Sequence, residues 1–335
     1  MATIKDVARL AGVAPSTVSN YFTGNANVSE ETRTRIEKAI KELGYRPNIA
    51  ARSLRLSQSK SIGLVVPNIA NPYFSEIVQA IGLACQPLGY SLLLSASNGD
   101  DSRETELVNN LFKQHIDGLL IIHTGRDRQE LPFADDPPLP VVFVDREVVG
   151  CASVATDNYL GGRMAAQHLV RLGHRHIGIL AGDIHVRNVQ QRVEGFQDEL
   201  ARYGLSVDPN LVIKGTQSFE TGRDVHLLMV QSKPPTAIFA TNDIIALGAW
   251  HKLTTMGYRV PEDVSIVGFD NIEMSQWTIP PLTTVHQDKR ELGRQAVALL
   301  VKTIQSRIPF SETIYVPPEI VVRGSSAPPP STLES

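Results

Sequence analysis

The stretch Thr3-Ile4-Lys5-Asp6-Val7-Ala8-Arg9-Leu10-Ala11-Gly12-Val13-Ala14-Pro15-Ser16-Thr17-Val18-Ser19-Asn20-Tyr21-Phe22 decides how the chain begins. Thr3 stands three residues before Asp6, a variant of the capping box, and Ile4, Val7, Ala8 and Ala11 then share one helical face. Gly12 ends that helix. Pro15 suits the first position of a second helix, where its missing N–H loses no partner. Val18, Tyr21 and Phe22 give this helix an inner face and leave Pro15, Ser16, Thr17 and Asn20 pointing outward. Short side chains of this kind let a helix lie close against base edges in the major groove. A third helix is predicted from Ser29 as its cap, with Glu30 and Glu31 at the positive end of the dipole. Its stripe is Ile36, Ala39, Ile40 and Leu43, and Gly44 and Pro47 stop it.

Charge divides the chain at the same place. The net charge is −3, yet residues 1–60 carry ten cations and five acids, a net of +5 that leaves −8 for the rest. A basic head on an acidic body is the balance of a protein whose head alone meets a polyanion. With 335 residues, 42% of them hydrophobic, the chain exceeds one ordinary core. No run approaches the roughly 18 apolar residues of a membrane span. Cys85 and Cys151 sit in apolar runs far from other ligand types, so no disulfide framework, metal or cofactor is expected. The start Met1-Ala2-Thr3-Ile4-Lys5-Asp6-Val7 lacks the pattern of a secretion signal, and the chain is expected in the cytoplasm, with the nucleoid.

From Ser61 onward apolar runs of strand length alternate with helical patterns. Residues 62–66, 91–94, 118–122 and 141–144 form a first set of strands, and 177–180, 237–240 and 264–268 a second. Helices are predicted over 73–88, 160–172, 190–203 and 244–256. Two lobes of doubly wound parallel sheet follow, and ligands of such sheets sit outside the carboxyl ends of the strands. Those ends read Asn68-Ile69-Ala70-Asn71-Pro72-Tyr73-Phe74, Asp145-Arg146, Thr156-Asp157-Asn158, Gly182-Asp183, Thr241-Asn242-Asp243 and Phe269-Asp270-Asn271. Acids, amides and an arginine converging with Tyr, Phe and Trp277 make a pocket for a hydroxyl-rich solute. Any one of these residues also serves as a turn former, and Asp157, Asp243 and Asn271 stand where helix caps are wanted. The convergence carries the reading.

Five linked motifs now carry a resemblance: Ala2 to Ala8, Ala11-Gly12-Val13, Ser16-Thr17-Val18-Ser19, Val28 to Arg33, and Leu43-Gly44-Tyr45-Arg46-Pro47-Asn48. They resemble the head of the lactose/purine repressor (LacI/GalR) family of transcriptional regulators, and the body resembles that family's sensor core, itself related to periplasmic sugar-binding proteins. The resemblance implies an α/β protein: a three-helix helix-turn-helix domain over 1–47, a hinge helix and linker over 48–60, and a two-lobed periplasmic-binding-protein-like core over 61–324 that binds effector and dimerises. Residues 325–335 are expected to be a disordered tail. Asn48 can cap the segment Ile49-Ala50-Ala51-Arg52-Ser53-Leu54-Arg55, which is too short to be stable alone. By resemblance it is the hinge helix, with Leu54 as a wedge between base steps and Arg52 and Arg55 beside it.

The same matching puts Thr3, Pro15, Ser16, Thr17 and Asn20 at the DNA, with Pro15 departing from the polar residues common there and offering only apolar contact. It assigns Asn71, Tyr73, Phe74, Arg146, Arg192, Phe219, Asn242 and Asp270 to the effector, with Asp157 and Gln287 as further candidates and Arg187 an alternative match one residue out of register. If Arg146, Arg187 and Arg192 all face the cleft, a carboxylate or phosphate is favoured. A sugar or sugar acid is expected ahead of a purine-like ligand. The resemblance further implies a homodimer on a palindromic double-stranded operator, allosterically controlled by its effector. It leaves open whether the effector releases the protein from DNA or holds it there. Pro328-Pro329-Pro330 rules out the C-terminal heptad helix that makes tetramers in the family.

Two rival classes fit less well. A nucleotide-dependent enzyme would need a glycine-rich phosphate turn, a P-loop or a nucleophile elbow, and none is present. His123, His185 and His286 invite an acid–base reading but stand singly near strand ends. A transport-associated or cytoplasmic solute-binding protein fits the body but not the basic head.

Overall fold

Three helices open the chain, α1 (Ile4–Ala11), α2 (Pro15–Phe22) and α3 (Glu30–Leu43), in a computed structural model that describes residues 2–22, 28–45, 58–122, 137–306 and 311–330. Local chemistry sets their ends. The Thr3 hydroxyl accepts from the Asp6 N–H while the Asp6 carboxylate accepts from the Thr3 N–H at 3.0 Å, closing the capping box. Ser29 caps α3 through the Thr32 N–H, and Gly12 and Gly44 end α1 and α3 in left-handed conformations. Val7, Ala8, Ala11, Val18, Ile36 and Ala39 are buried together as the core of the first unit, residues 1–59.

Residues 60–335 form the second unit. The chain first lays down β1 (Ser61–Val66), α4 (Pro72–Cys85), β2 (Ser91–Ala96), α5 (Asp101–Lys113), β3 (Gly118–Ile122), β4 (Val141–Val144) and β5 (Ser153–Thr156). It continues with α6 (Asn158–Arg171), β6 (Ile177–Ala181), α7 (Arg187–Arg202), β7 (Val212–Lys214), α8 (Phe219–Arg223), α9 (His226–Met229), β8 (Ala237–Ala240), α10 (Asp243–Thr255), β9 (Ser265–Asp270) and β10 (Thr283–His286). The last elements are α11 (Lys289–Ser306), β11 (Thr313–Val316) and β12 (Glu319–Val321).

Two six-stranded sheets result, ordered β11-β5-β4-β3-β1-β2 and β12-β10-β9-β8-β6-β7. Each strand pair is parallel except β10 with β12, an antiparallel edge on the second sheet. The inner strands β3, β6 and β9 are buried throughout, which is why they read as unbroken apolar runs rather than alternating ones.

The two expected sets of strands fall in separate sheets, and the strand orders add how the chain passes between them. Instead of finishing one lobe and then the other, the chain crosses between them three times, near Asp157, at Gln287–Asp288 and at residues 317–318. Helix α11 lies against α4 and strands β3 to β5 of the first lobe. No local pattern reports such a crossing, because a strand's periodicity is the same in either sheet.

The expectation of a disordered tail over 325–335 is also corrected for residues 325–330. Ser325 is fully buried; its hydroxyl donates to the Ile266 carbonyl at 2.6 Å and accepts from the Thr283 N–H at 2.8 Å. The Ala327 N–H donates to Ser265 Oγ at 3.1 Å, and its carbonyl lies 2.8 Å from His174 Nε2. Prolines forbid a helix there but not an extended strap whose polar groups find partners. Residues 331–335 lie outside the described residues, as do Arg52, Leu54 and Arg55 of the expected hinge helix.

Candidate functional site

Strands β4 and β9 hold the same place in their sheets, and each runs into an aspartate with a left-handed backbone: Asp145 at φ 69° and Asp270 at φ 111°. In each lobe the helix after the first strand supplies a donor to that acid. Asn71 caps α4 by accepting from the Tyr73 N–H at 3.1 Å, which places Tyr73 for its hydroxyl to donate to Asp145 Oδ1. In the second lobe α7 presents Arg192, whose Nη1 donates to Asp270 Oδ1 at 3.2 Å and to the Thr241 carbonyl at 2.7 Å. Its Nε donates to Asn158 Oδ1 at 2.7 Å, and the guanidinium stacks 3.8 Å from the Phe269 ring centre.

Helix α7 reaches this position because glycines let it approach α6. A Cβ on Gly162 would sit 2.1 Å from the Arg192 carbonyl oxygen, and one on Gly195 would sit 2.0 Å from that of Tyr159. The lobes touch across the cleft where Asn188 Nδ2 donates to the Asp145 carbonyl at 2.7 Å.

Between the lobes lies a cavity of about 550 Å³. The first lobe lines it with Asn68, Asn71, Tyr73, Phe74, Asn98 and Asp145; the second contributes Asp183, His185, Asn188, Arg192, Asn242 and Asp270, with Thr216, Gln217 and Ser218 beside them. Burial pushes the Asp145 carboxyl up to about 7, although the Tyr73 hydroxyl and Arg192 pull it down. Burial likewise raises the Tyr73 phenol well above its usual range. Behind the cavity, Asp243 accepts from Thr284 Oγ1 at 2.6 Å and from the Ile272 N–H at 2.9 Å. Burial and repulsion by Asp270 raise its carboxyl strongly; burial also raises Asp270, to about 6, although the cations Arg192 and Lys289 pull it down.

Of the expected effector residues, the cavity brings together Asn71, Tyr73, Phe74, Arg192, Asn242 and Asp270. The other five stand off its described lining. Arg146 is buried next to Asp145, which faces the cavity in its place. Asp157 caps α6 by accepting from the Leu160 N–H at 2.8 Å. Arg187 is half exposed and bonds Gln190 and Glu194 on its own helix, whereas Asn188 lines the cavity. Phe219 packs on His251 at 5.7 Å, and Gln287 lies behind the cavity, donating to Asp270 Oδ1 at 2.7 Å. Trp277 is exposed and is not part of the lining, and His286 bonds Asn271. The sequence reading placed Asp145 among the converging strand ends without assigning it to the effector, and it passed over Asn188. Internal symmetry was the available signal, since Asp145 ends the fourth strand of its sheet as Asp270 does.

In the first unit Pro15, Ser16 and Asn20 are exposed on α2 and Thr17 is partly so, around the buried Val18. Thr3 is exposed, with its hydroxyl engaged on Asp6.

Comparison with known proteins is decisive. Residues 3–48 match the family of bacterial regulatory proteins called the lacI family, and residues 166–326 match a periplasmic binding protein-like domain. A repressor named HTH-type transcriptional repressor PurR from Haemophilus influenzae (strain PittEE) is 37% identical over 331 residues, covering 97% of this chain and 98% of the relative. The chain belongs to the LacI family. It is a DNA-binding transcriptional repressor of that family, with the two-lobed LacI-like fold.

A second repressor named HTH-type transcriptional repressor PurR, from Pasteurella multocida (strain Pm70), is 38% identical to this LacI family chain over 332 residues, 97% of this chain and 98% of its own. Among solved structures, the lac repressor dimer bound to operator and the anti-inducer ONPF superimposes with a TM-score of 0.88 at 33% identity, covering 97% of this chain and 99% of that one. A LacI family regulator from Enterococcus faecium with bound ribose has a TM-score of 0.72 at 29% identity, covering 80% and 99%. Among the described residues no helix is long and apolar enough to cross a membrane.

Proposed function

We propose that the protein binds a palindromic operator as a homodimer and that a small neutral sugar in the interlobe cleft controls that binding. One observation carries the choice of ligand: the described lining of the cavity holds three aspartates and five asparagines, and the one arginine in that described lining is already bonded to Asp270. Hydroxyl groups donate and accept in pairs and suit such a lining. A sugar acid would need an uncommitted guanidinium, and neither Arg146 nor Arg187 supplies one to the described lining. Tyr73 and Phe74 give the apolar wall, meeting edge to face at 5.4 Å. At the DNA, Pro15, Ser16, Thr17 and Asn20 read the major groove with Thr3 alongside, and residues 48–60 act as the hinge, with Leu54 as wedge between Arg52 and Arg55.

A purine-type corepressor is the second reading. It is favoured by relatives named PurR that match over the whole length and by the two aromatic rings at the cleft.

Thermal melting of the full chain with D-ribose, D-galactose, D-gluconate, hypoxanthine and guanine separates these readings. A ligand bound only by the folded state adds about 2.7 kcal/mol at a hundred times its Kd. Stabilisation by a neutral sugar is expected; stabilisation by the purines or gluconate alone overturns the sugar reading. Duplexes selected from a random pool should carry two inverted half-sites bound by two chains. One chain per selected duplex would remove the dimer.

A further inference from the structure

Lys289 is a buried cation that the ligand reading leaves unused. It opens α11 immediately after the second crossover and is only 8% exposed. Its Nζ donates to the Asp270 carbonyl at 2.7 Å and to the Asn271 carbonyl at 2.9 Å, and it pairs with Glu76 Oε2 at 3.2 Å. An ammonium has three hydrogens, and three acceptors surround this one. Two of them belong to the left-handed pair Asp270 and Asn271, at φ 111° and 50°. Non-glycine residues in such conformations persist only where their surroundings over-determine them. Here Lys289 holds both carbonyls, and Arg323 Nη2 donates to the Asn271 side chain at 2.7 Å.

The third acceptor joins the lobes. Glu76 lies on α4, one turn beyond Tyr73, and its other oxygen accepts from the Glu273 N–H of the second lobe at 3.0 Å. Lys289 Nζ also stands 5.9 Å from the Tyr73 ring, whose hydroxyl holds Asp145. One ammonium therefore borders both aspartate systems of the cleft.

We propose that Lys289 is a positioning residue of the cleft: by clamping the Asp270–Asn271 turn and pairing with Glu76 it sets where Asp270 points and ties that aim to the closure of the two lobes. The proposal rests on the cleft being the effector site. Lys289 also acts on Asp270 as a charge, together with Arg192 on α7, while Asp243 on α10 and Asp145 just after β4 oppose them. His286 on β10, Asp288 at the crossover and Arg323 after β12 complete the charged and titratable surroundings.

The test is a carbon-13 carboxyl titration of Asp270 in the full-length protein, assigned with Asp270→Asn. Lys289→Met removes a nearby cation, so the Asp270 titration should move up by about one pH unit. Glu76→Gln removes an anion and should move it down or leave it in place. Simple loosening would admit water and lower the titration in both variants, so a fall in Lys289→Met overturns the proposal, as does no change. Should Lys289→Met fail to fold, hydrogen exchange in Glu76→Gln decides: the Glu273 and Ile272 N–H groups should exchange about tenfold faster, a cost of about 1.4 kcal/mol. Unaltered exchange would refute the tie between lobes. D-ribose binding is measured in parallel. Its absence in the wild type counts against the sugar reading alone, whereas binding that is equally tight in wild type and Lys289→Met counts against Lys289.

Discussion

The two lobes solve one problem with different chemistry. Each ends its fourth strand in a strained aspartate aimed at the cleft, and each brings a donor to it from the helix after its first strand. The first lobe uses a phenol, Tyr73, and the second a guanidinium, Arg192, backed by Lys289 and Gln287. A neutral donor cannot offset the cost of burying a charge, so Asp145 is held near neutrality in its titration. Asp270 is compensated by cations and is the better-fixed acid. Burial thus leaves the first lobe with an acid at about 7 and the second with one at about 6, so both walls respond to protons and the second does so less.

Removing the guanidinium should have the largest effect on this contrast. Arg192→Met leaves Asp270 buried without its ion pair and should cost about 3–5 kcal/mol by denaturant unfolding, with loss of any effector response. A stability near wild type would mean that Lys289 suffices and that the lobes differ less than their bonding implies.

Backbone approach is the next difference. Gly195→Ala drives a Cβ to within 2.0 Å of the Tyr159 carbonyl and should cost about 3 kcal/mol, at the upper end of overpacking. Gly293→Ala on α11 in the first lobe meets Ala80 Cβ and the Ile81 backbone nitrogen at 2.9 Å, a less severe approach to an equally rigid neighbour, and should cost about 2 kcal/mol. Equal costs would show that α7 needs no close seat against α6.

A pH series sharpens the contrast further. Asp145 titrates near 7 in the folded protein and near 3.8 when unfolded, so the folded state binds the extra proton. Its contribution is therefore lost as pH rises between those values. Asp145→Asn should melt several degrees above wild type at pH 8 and converge with it near pH 4. A gap that does not change with pH would place the Asp145 proton elsewhere. The smallest effect is expected from Tyr73→Phe, which removes one hydrogen bond worth about 1 kcal/mol and should raise the Asp145 titration.

Legibility followed range. The head could be read because its determinants lie within four residues of one another, as with Thr3 and Asp6 or Ser29 and Thr32. The inner strands could be read because burial on both faces leaves an unbroken apolar run. Edge strands such as β7, with its short half-buried Val-Ile-Lys, gave no comparable signal. In the cleft, resemblance names Arg192 and Asp270, which line the cavity, and Arg146, beside which it is the left-handed Asp145 that lines it, a difference between adjacent residues that no strand periodicity reports.

The sequence by itself determined the helix caps and turns of the head, the alternation that builds two parallel sheets, and the membership of the family. Tertiary structure alone decided the three crossings, the strap at Ser325, the pairing of Tyr73 with Asp145 across 72 residues, and the clamp of Lys289 on Asp270. The physical reason is distance along the chain. Caps and periodic faces arise between near neighbours, whereas a buried polar contact depends on which distant segments the sheets bring together.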